Sequence, residues 1–147
     1  PTRRIWMRGV EVQMSATQLA TYVFILHQTY CTHHGGLVKA GQHYPLSDKD
    51  VMRLGNTYHA ICNLFRETPI AEARSYLEDV QNIRGYIARI RTAINHHIDE
   101  QDLSYYMPQD TSDKSRYYIA IESTKIFLHT TSGDMMFVDY PLWKTLK

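Results

Sequence analysis

The amino-acid sequence predicts an α+β fold in a single domain covering residues 1–147. Helix-start motifs precede two apolar segments, the most regular apolar pattern has a helical period, and three short alternating segments follow it near the C-terminus. A chain of this length is able to bury an independent core. We therefore expect about three helices, one of them long, followed by a three-stranded antiparallel meander that an N-terminal strand is free to join.

The N-terminal region predicts a strand followed by a buried helix. Residues 4–12 are rich in strand-favouring types, which indicates a strand or a short hairpin. Ser15 and Gln18 have the spacing of a capping box, so a helix should begin at Ser15. Residues 22–26 are apolar on every side of that helix, which indicates burial either inside the domain or at a subunit contact. A buried strand is the alternative for this run.

Two further helices follow in the middle of the chain. Ser47 is placed as an N-cap for a second helix that should end near Glu67. Thr68 and Pro69 then start a third helix, which reaches residue 98. At 1.5 Å per residue it would be about 43 Å long, so it spans the molecule, bends at Gly85 or projects into a partner. Its apolar stripe comprises Ala73, Leu77, Val80, Ile83, Ile87, Ile90, Ile94 and Ile98.

The C-terminal region alternates apolar and polar residues in three segments. Residues 116–123, 125–131 and 135–139 are the predicted strands, and the turn residues 132–134 separate the last two. Because consecutive strands with short connections usually pair, this pattern predicts one antiparallel meander.

Composition and charge exclude several classes of protein. Apolar residues make up 44% of the chain and charged residues 21%, which is typical of a globular domain. The formal net charge of +1 gives no global attraction to nucleic acid or to an anionic membrane. Two cysteines without a predicted secretion signal do not make a disulfide framework, and no apolar run approaches the ~20 residues that a bilayer requires. We expect a cytoplasmic protein that does not enter a membrane.

The segment from residue 32 to residue 46 is the leading candidate for a ligand-binding loop. It is long for a connection in a compact domain and contains several glycines, which let backbone N–H groups approach a phosphate. The candidate ligands are a small anion or a nucleotide, although two glycines after a helix often only cap it. The side chains that would supply the contacts are His33, His34, Lys39 and His43.

A zinc site is the second candidate. Cys31 and His33 follow the first helix, while His59 and Cys62 share one face of the second helix, so these four side chains could converge on a tetrahedral ion. The spacing matches no standard zinc motif. In the alternative interpretation, Cys62 is a small buried residue and no cofactor is bound.

Two weaker patterns point to other chemistry. Arg84, Arg89 and Arg91 on the third helix could contact an anion or a nucleic-acid backbone, although a solvated helix face is the ordinary interpretation. His129 and Thr131 form a His-x-Thr pattern that occurs once, and His129 is more simply an exposed strand residue.

These patterns contain none of the usual catalytic arrangements, so binding is favoured over catalysis. We expect a non-enzymatic regulatory protein that acts through protein contacts as a homo-oligomer, using its first or third helix. The alternatives are a binder of a small anionic ligand or nucleotide, and a small metal-dependent or phosphate-processing enzyme. Nucleic-acid binding is not favoured.

Overall fold

The structure is a computed structural model that describes residues 4–39, 46–65, 76–130 and 132–146, with side-chain detail for all of these except 76–81. The described residues confirm the predicted α+β class. The helices are α1 (Ala16–Tyr30), α2 (Asp48–Leu64), α3 (Tyr76–His97), α4 (Glu100–Tyr106) and α5 (Leu142–Thr145). The strands are β1 (Ile5–Met7), β2 (Val10–Val12), β3 (Leu37–Val38), β4 (Gln109–Asp110), β5 (Arg116–Tyr118), β6 (Phe127–Thr130) and β7 (Gly133–Met136).

Helix α1 is the centre of the molecule. The predicted capping box is confirmed, since the Ser15 hydroxyl accepts from the Gln18 backbone N–H and the Gln18 side chain accepts from the Ser15 N–H. Every residue from Leu19 to Gln28 is buried. Because this burial occurs within one chain, α1 needs no subunit contact to cover its apolar sides, and the interpretation as a buried strand is wrong.

Helices α2 and α3 pack on α1 and on each other. The predicted N-cap of α2 is confirmed, since the Ser47 hydroxyl accepts from the Asp50 N–H. Helix α3 continues as a helix through Gly85, and the start expected for it near residue 70 lies outside the described residues. Within the described ranges, no helix is both long enough and apolar enough to cross a bilayer. The buried side chains of the apolar stripe on α3 are Ile83, Ile87, Ile90, Ile94 and Ile98.

The predicted three-stranded meander is wrong, because the strands form three small antiparallel sheets. Strand β5 pairs with β3 and β4, whereas β6 pairs only with β7. The physical reason is a 3₁₀ turn at Ser123–Lys125, which ends the extended backbone between β5 and β6. The N-terminal segment forms its own hairpin, β1 with β2, and its turn residues Arg8 and Gly9 both have positive φ, as a tight hairpin turn requires.

Candidate functional site

A cavity of about 590 Å³ lies where the end of α1 meets α2 and the C-terminal helix α5. We call it the His/Arg cavity. It combines imidazole, guanidinium, hydroxyl and amide groups with an aromatic and aliphatic wall. Its lining residues are His27, Gln28, Tyr30, Cys31, Thr32, His33, His34, Arg53, Thr57, Trp143 and Leu146.

The segment after α1 places two histidines on the cavity wall. The Gln28 carbonyl accepts from the Thr32 hydroxyl at 2.8 Å and from the Gly36 N–H at 3.1 Å, so the chain folds back over the helix end. Gly36 has φ +149°, and a Cβ atom there would lie 2.5 Å from the Tyr117 carbonyl oxygen. Glycine is therefore required for the close approach that joins this segment to β5.

Burial and nearby cations favour the neutral form of two cavity imidazoles, those of His27 and His34. Burial and, to a smaller extent, the charge of Arg53 together lower the pKa of His27 to about 4. The pKa of His34 is also lowered, first by burial and then by the charges of Arg53 and Arg116, while Asp50 opposes the shift. At neutral pH these rings act as neutral hydrogen-bonding groups rather than as cations.

Arg53 supplies the fixed positive charge of the cavity wall. Its guanidinium nitrogen lies 3.6 Å from Asp50 one turn earlier on α2, and both side chains are partly exposed. A pair of this kind contributes only about 0–1 kcal/mol, so it does not prevent the guanidinium from binding a ligand anion. Arg116 contributes a second positive potential near His34 without lining the cavity.

Gln28 leaves an unpartnered oxygen at the cavity wall. Its side chain is fully buried, and its Nε2 lies 3.0 Å from His27 Nδ1. Its Oε1 has no hydrogen-bond partner among the residues that the structure describes. A buried acceptor without a donor costs about 1–3 kcal/mol, so the fold tolerates a destabilising group at this position.

The predicted loop residues are distributed between two places. His33 and His34 both line the His/Arg cavity. Lys39 instead binds Asp110, at 2.6 Å between Nζ and Oδ1, and lies over the Tyr117 ring. His43 lies outside the described residues. The structure thus brings together the two adjacent histidines but gives Lys39 a partner elsewhere.

The predicted zinc ligands are divided in a similar way. Cys31 and His33 line the His/Arg cavity, whereas Cys62 lines a separate small cavity with residues of α1. His59 Nε2 lies 3.2 Å from the side-chain nitrogen of Asn63. In the described part of the chain, no group of three or more His, Cys, Asp or Glu side chains is arranged to hold a metal ion. Zinc binding by this set therefore remains a prediction.

The remaining candidates lie on the surface. Arg84 and Arg89 are exposed on α3, while Arg91 donates from Nε to the Pro108 carbonyl at 3.1 Å. His129 is an exposed strand residue whose Nδ1 lies 2.5 Å from Asp134 Oδ1. Thr131, its expected partner, lies outside the described residues.

Sequence reasoning missed the seven cavity residues outside the segment 31–34: His27, Gln28, Tyr30, Arg53, Thr57, Trp143 and Leu146. One available signal was the presence of two polar residues, His27 and Gln28, directly after the apolar run 22–26 of a helix expected to be buried. A buried polar pair requires partners, and its position marks where the core becomes polar.

No local signal connects Arg53 or Trp143 with that pair, because they are distant in sequence and only the packing of α2 and α5 brings them to the cavity. The interpretation of this cavity depends on its own chemistry, since no family model, no curated protein and no solved structure matches the chain.

Proposed function

We propose that the chain is a binding protein for a small anionic organic ligand, which occupies the His/Arg cavity. The observation that carries this proposal is that one cavity is lined by the Arg53 guanidinium, three imidazoles and Gln28, whose buried amide oxygen has no hydrogen-bond donor among the described residues. Convergent polar groups in a largely preformed cavity are the usual mark of a ligand site.

The charge distribution favours an anion. Arg53 is permanently protonated, and its planar donors suit a carboxylate, sulfate or phosphate group. The imidazoles of His33 and His34 add hydrogen-bonding groups to the same cavity wall. Carboxylates are absent from the residues that line this cavity in the described structure, so repulsion of an anion there is limited to the partly exposed Asp50.

Size and wall chemistry favour an organic ligand over a bare ion. A volume of about 590 Å³ falls within the ~300–1,000 Å³ typical of small-molecule pockets. Tyr30, Trp143 and Leu146 provide aromatic and aliphatic surface for the rest of the ligand. Burial raises the pKa of the Cys31 thiol to about 11, so this thiol is not an activated nucleophile, which favours binding over catalysis.

We expect Arg53→Gln to weaken binding of an aryl anion at least tenfold, because a charge-assisted hydrogen bond is replaced by a neutral one. Calorimetric titration with phenyl phosphate and phenyl sulfate measures this loss. Arg84→Gln is the matched control, since Arg84 is exposed on α3 and does not line the cavity. The proposal would be contradicted if the wild type bound neither probe at millimolar concentration. Equal affinities of Arg53→Gln and the wild type would contradict it as well.

A second candidate function is self-association, in which the chain binds a second copy of itself. One observation favours it. Trp6 on β1 and Phe127 on β6 are 42% and 54% exposed, and both line a small cavity of about 150 Å³ with an apolar interior. Large exposed aromatic side chains beside an apolar cavity are typical of protein contact surfaces. The surface for homo-oligomerisation is then the Trp6/Phe127 patch rather than α1, whose middle is already covered.

Light scattering tests this second candidate. We expect the wild type to have at least twice the 17.2 kDa chain mass and the double variant Trp6→Ser, Phe127→Ser to have the mass of one chain. Met52→Ser is the control, because Met52 is exposed but does not line that cavity. A monomeric wild type at micromolar concentration is the result that excludes this function.

A further inference from the structure

Several polar groups around the His/Arg cavity are already satisfied by the protein. The Trp143 Nε1–H donates to the Phe137 carbonyl at 2.6 Å, and the Tyr30 hydroxyl bonds to the carbonyls of Ile119 and Ile121. The Thr32 hydroxyl donates to the Gln28 carbonyl. These groups therefore hold the cavity in shape and have little capacity left for a ligand.

Gln28 Oε1 is different because it lacks a donor. In the His27 tautomer that carries its proton on Nε2, the Gln28 Nε2–H group donates to His27 Nδ1, and the Gln28 oxygen then has no donor among the described residues. An acceptor of this kind attracts a ligand that carries an O–H or N–H group. It repels a fully ionised sulfate or carboxylate, whose oxygens only accept.

The cavity therefore presents two requirements to a single ligand: negative charge for Arg53 and a hydrogen-bond donor for Gln28. A phosphomonoester meets both requirements with one group, since its second pKa is about 6 and its monoanion carries ionised oxygens and one P–OH. We propose that the ligand of the His/Arg cavity is a phosphomonoester bound as its monoanion, with the P–OH donating to Gln28 Oε1 and the ionised oxygens accepting from Arg53. This inference rests on the proposed function.

The fixed charges around the site agree with a monoanion. Arg53 is balanced in part by Asp50 on the same helix, and Arg116 on β5 adds potential from outside the wall. The other titratable groups that line this cavity are His27 and Tyr30 from α1, Cys31 at the C-cap of that helix, and His33 and His34 from the following segment. The affinities of two probes are always compared in the same protein at the same pH. A change in the protonation of these groups therefore affects both affinities together.

Gln28 has no accessible surface, so the ligand must displace part of the wall to reach its oxygen. His34 is a partly buried residue of the same wall, and we expect it to be the side chain that shifts. The organic group of the ester then packs on Trp143 and Leu146, whereas inorganic phosphate has no apolar group to make these contacts. A phosphomonoester should accordingly bind more tightly than inorganic phosphate.

Phenyl phosphate and phenyl sulfate form a matched pair of probes for calorimetry. They share one organic group and a tetrahedral oxyanion, but only the phosphate carries a proton. At pH 5.5, where the phosphate is mostly a monoanion, we expect phenyl phosphate to bind at least about tenfold more tightly than phenyl sulfate. At pH 8, where almost no monoanion remains, we expect this ratio to fall. Inorganic phosphate is expected to bind more weakly than phenyl phosphate.

The variant Gln28→Leu should reduce the phosphate-to-sulfate ratio at pH 5.5 to about one, because it removes the acceptor and keeps a side chain of similar length. Gln13→Leu, at an exposed position before α1, is the control. Thermal melting of both variants establishes whether they fold. If Gln28→Leu does not fold, the comparison of phenyl phosphate with phenyl sulfate on the wild type still decides the question.

The outcomes separate the two proposals. Equal binding of the two aryl probes to the wild type, or tighter binding of the sulfate, would overturn the phosphomonoester inference and leave anion binding in place. Inorganic phosphate binding as tightly as phenyl phosphate would overturn the assignment to an ester. The absence of binding by any of the three probes would overturn both proposals.

Discussion

Replacing Ile90 by Asp is expected to unfold the chain at room temperature. Ile90 is 0% exposed at the centre of the α3 stripe. The substitution loses about 2–5 kcal/mol of buried aliphatic contact and forces a carboxylate into an apolar seam at a further cost of several kcal/mol. A domain of this size has about 5–15 kcal/mol of stability in total. Far-ultraviolet circular dichroism and urea denaturation measure the effect.

Ala88→Asp is the matched control for this substitution. It adds the same carboxylate to the same helix at an exposed position, so we expect a change within about 1 kcal/mol, mostly from helix propensity. A native spectrum and an unchanged urea midpoint for Ile90→Asp would mean that the stripe is not buried in the folded protein.

Replacing Trp143 by Ala is expected to lower the free energy of unfolding by about 3–5 kcal/mol. The indole is buried, its ring centroid lies 4.9 Å from that of His27 and 5.1 Å from that of Phe137, and its N–H donates to a backbone carbonyl. The substitution therefore removes a large apolar contact and also one of the two hydrogen bonds that the Phe137 carbonyl accepts, the other coming from the Tyr140 N–H.

Trp6→Ala is the control, since Trp6 is the same residue type at a largely exposed position. In urea denaturation we expect its effect to be within about 1 kcal/mol. Similar losses for the two tryptophans would show that α5 does not pack on the core as described. The free energy of unfolding of Trp143→Phe should lie between those of the wild type and Trp143→Ala, because this variant keeps an aromatic ring but loses the hydrogen bond.

The position of Trp143 also changes the interpretation of the C-terminal segment. Residues 140–143 are mostly apolar in the sequence, which by itself would be compatible with a surface that contacts a partner. In the fold, Trp143 fills the core and forms a wall of the His/Arg cavity. Stability and ligand binding therefore depend on the same side chain, whereas the exposed aromatic residues lie at the two hairpins.

The sequence by itself determined α1, α2 and the described part of α3, because their signals are local, whereas it did not predict the short helices α4 and α5. The Ser15 and Gln18 capping box joins residues three apart, and the α3 stripe follows from the helical period alone. The α+β class was predictable for the same reason, since alternation and helical periodicity are properties of short segments. Burial of α1 on all sides was also predictable from its apolar run.

Only the tertiary structure decided which strands pair and which residues form the cavity. Strand β5 pairs with β3, which lies about 80 residues earlier, and the 3₁₀ turn Ser123–Lys125 separates β5 from β6, which pairs with β7. The cavity joins Gln28, Arg53 and Trp143, which no local pattern relates to one another. Such contacts depend on how whole elements pack, and a side chain 25 or 115 positions away leaves no periodic signal in the sequence.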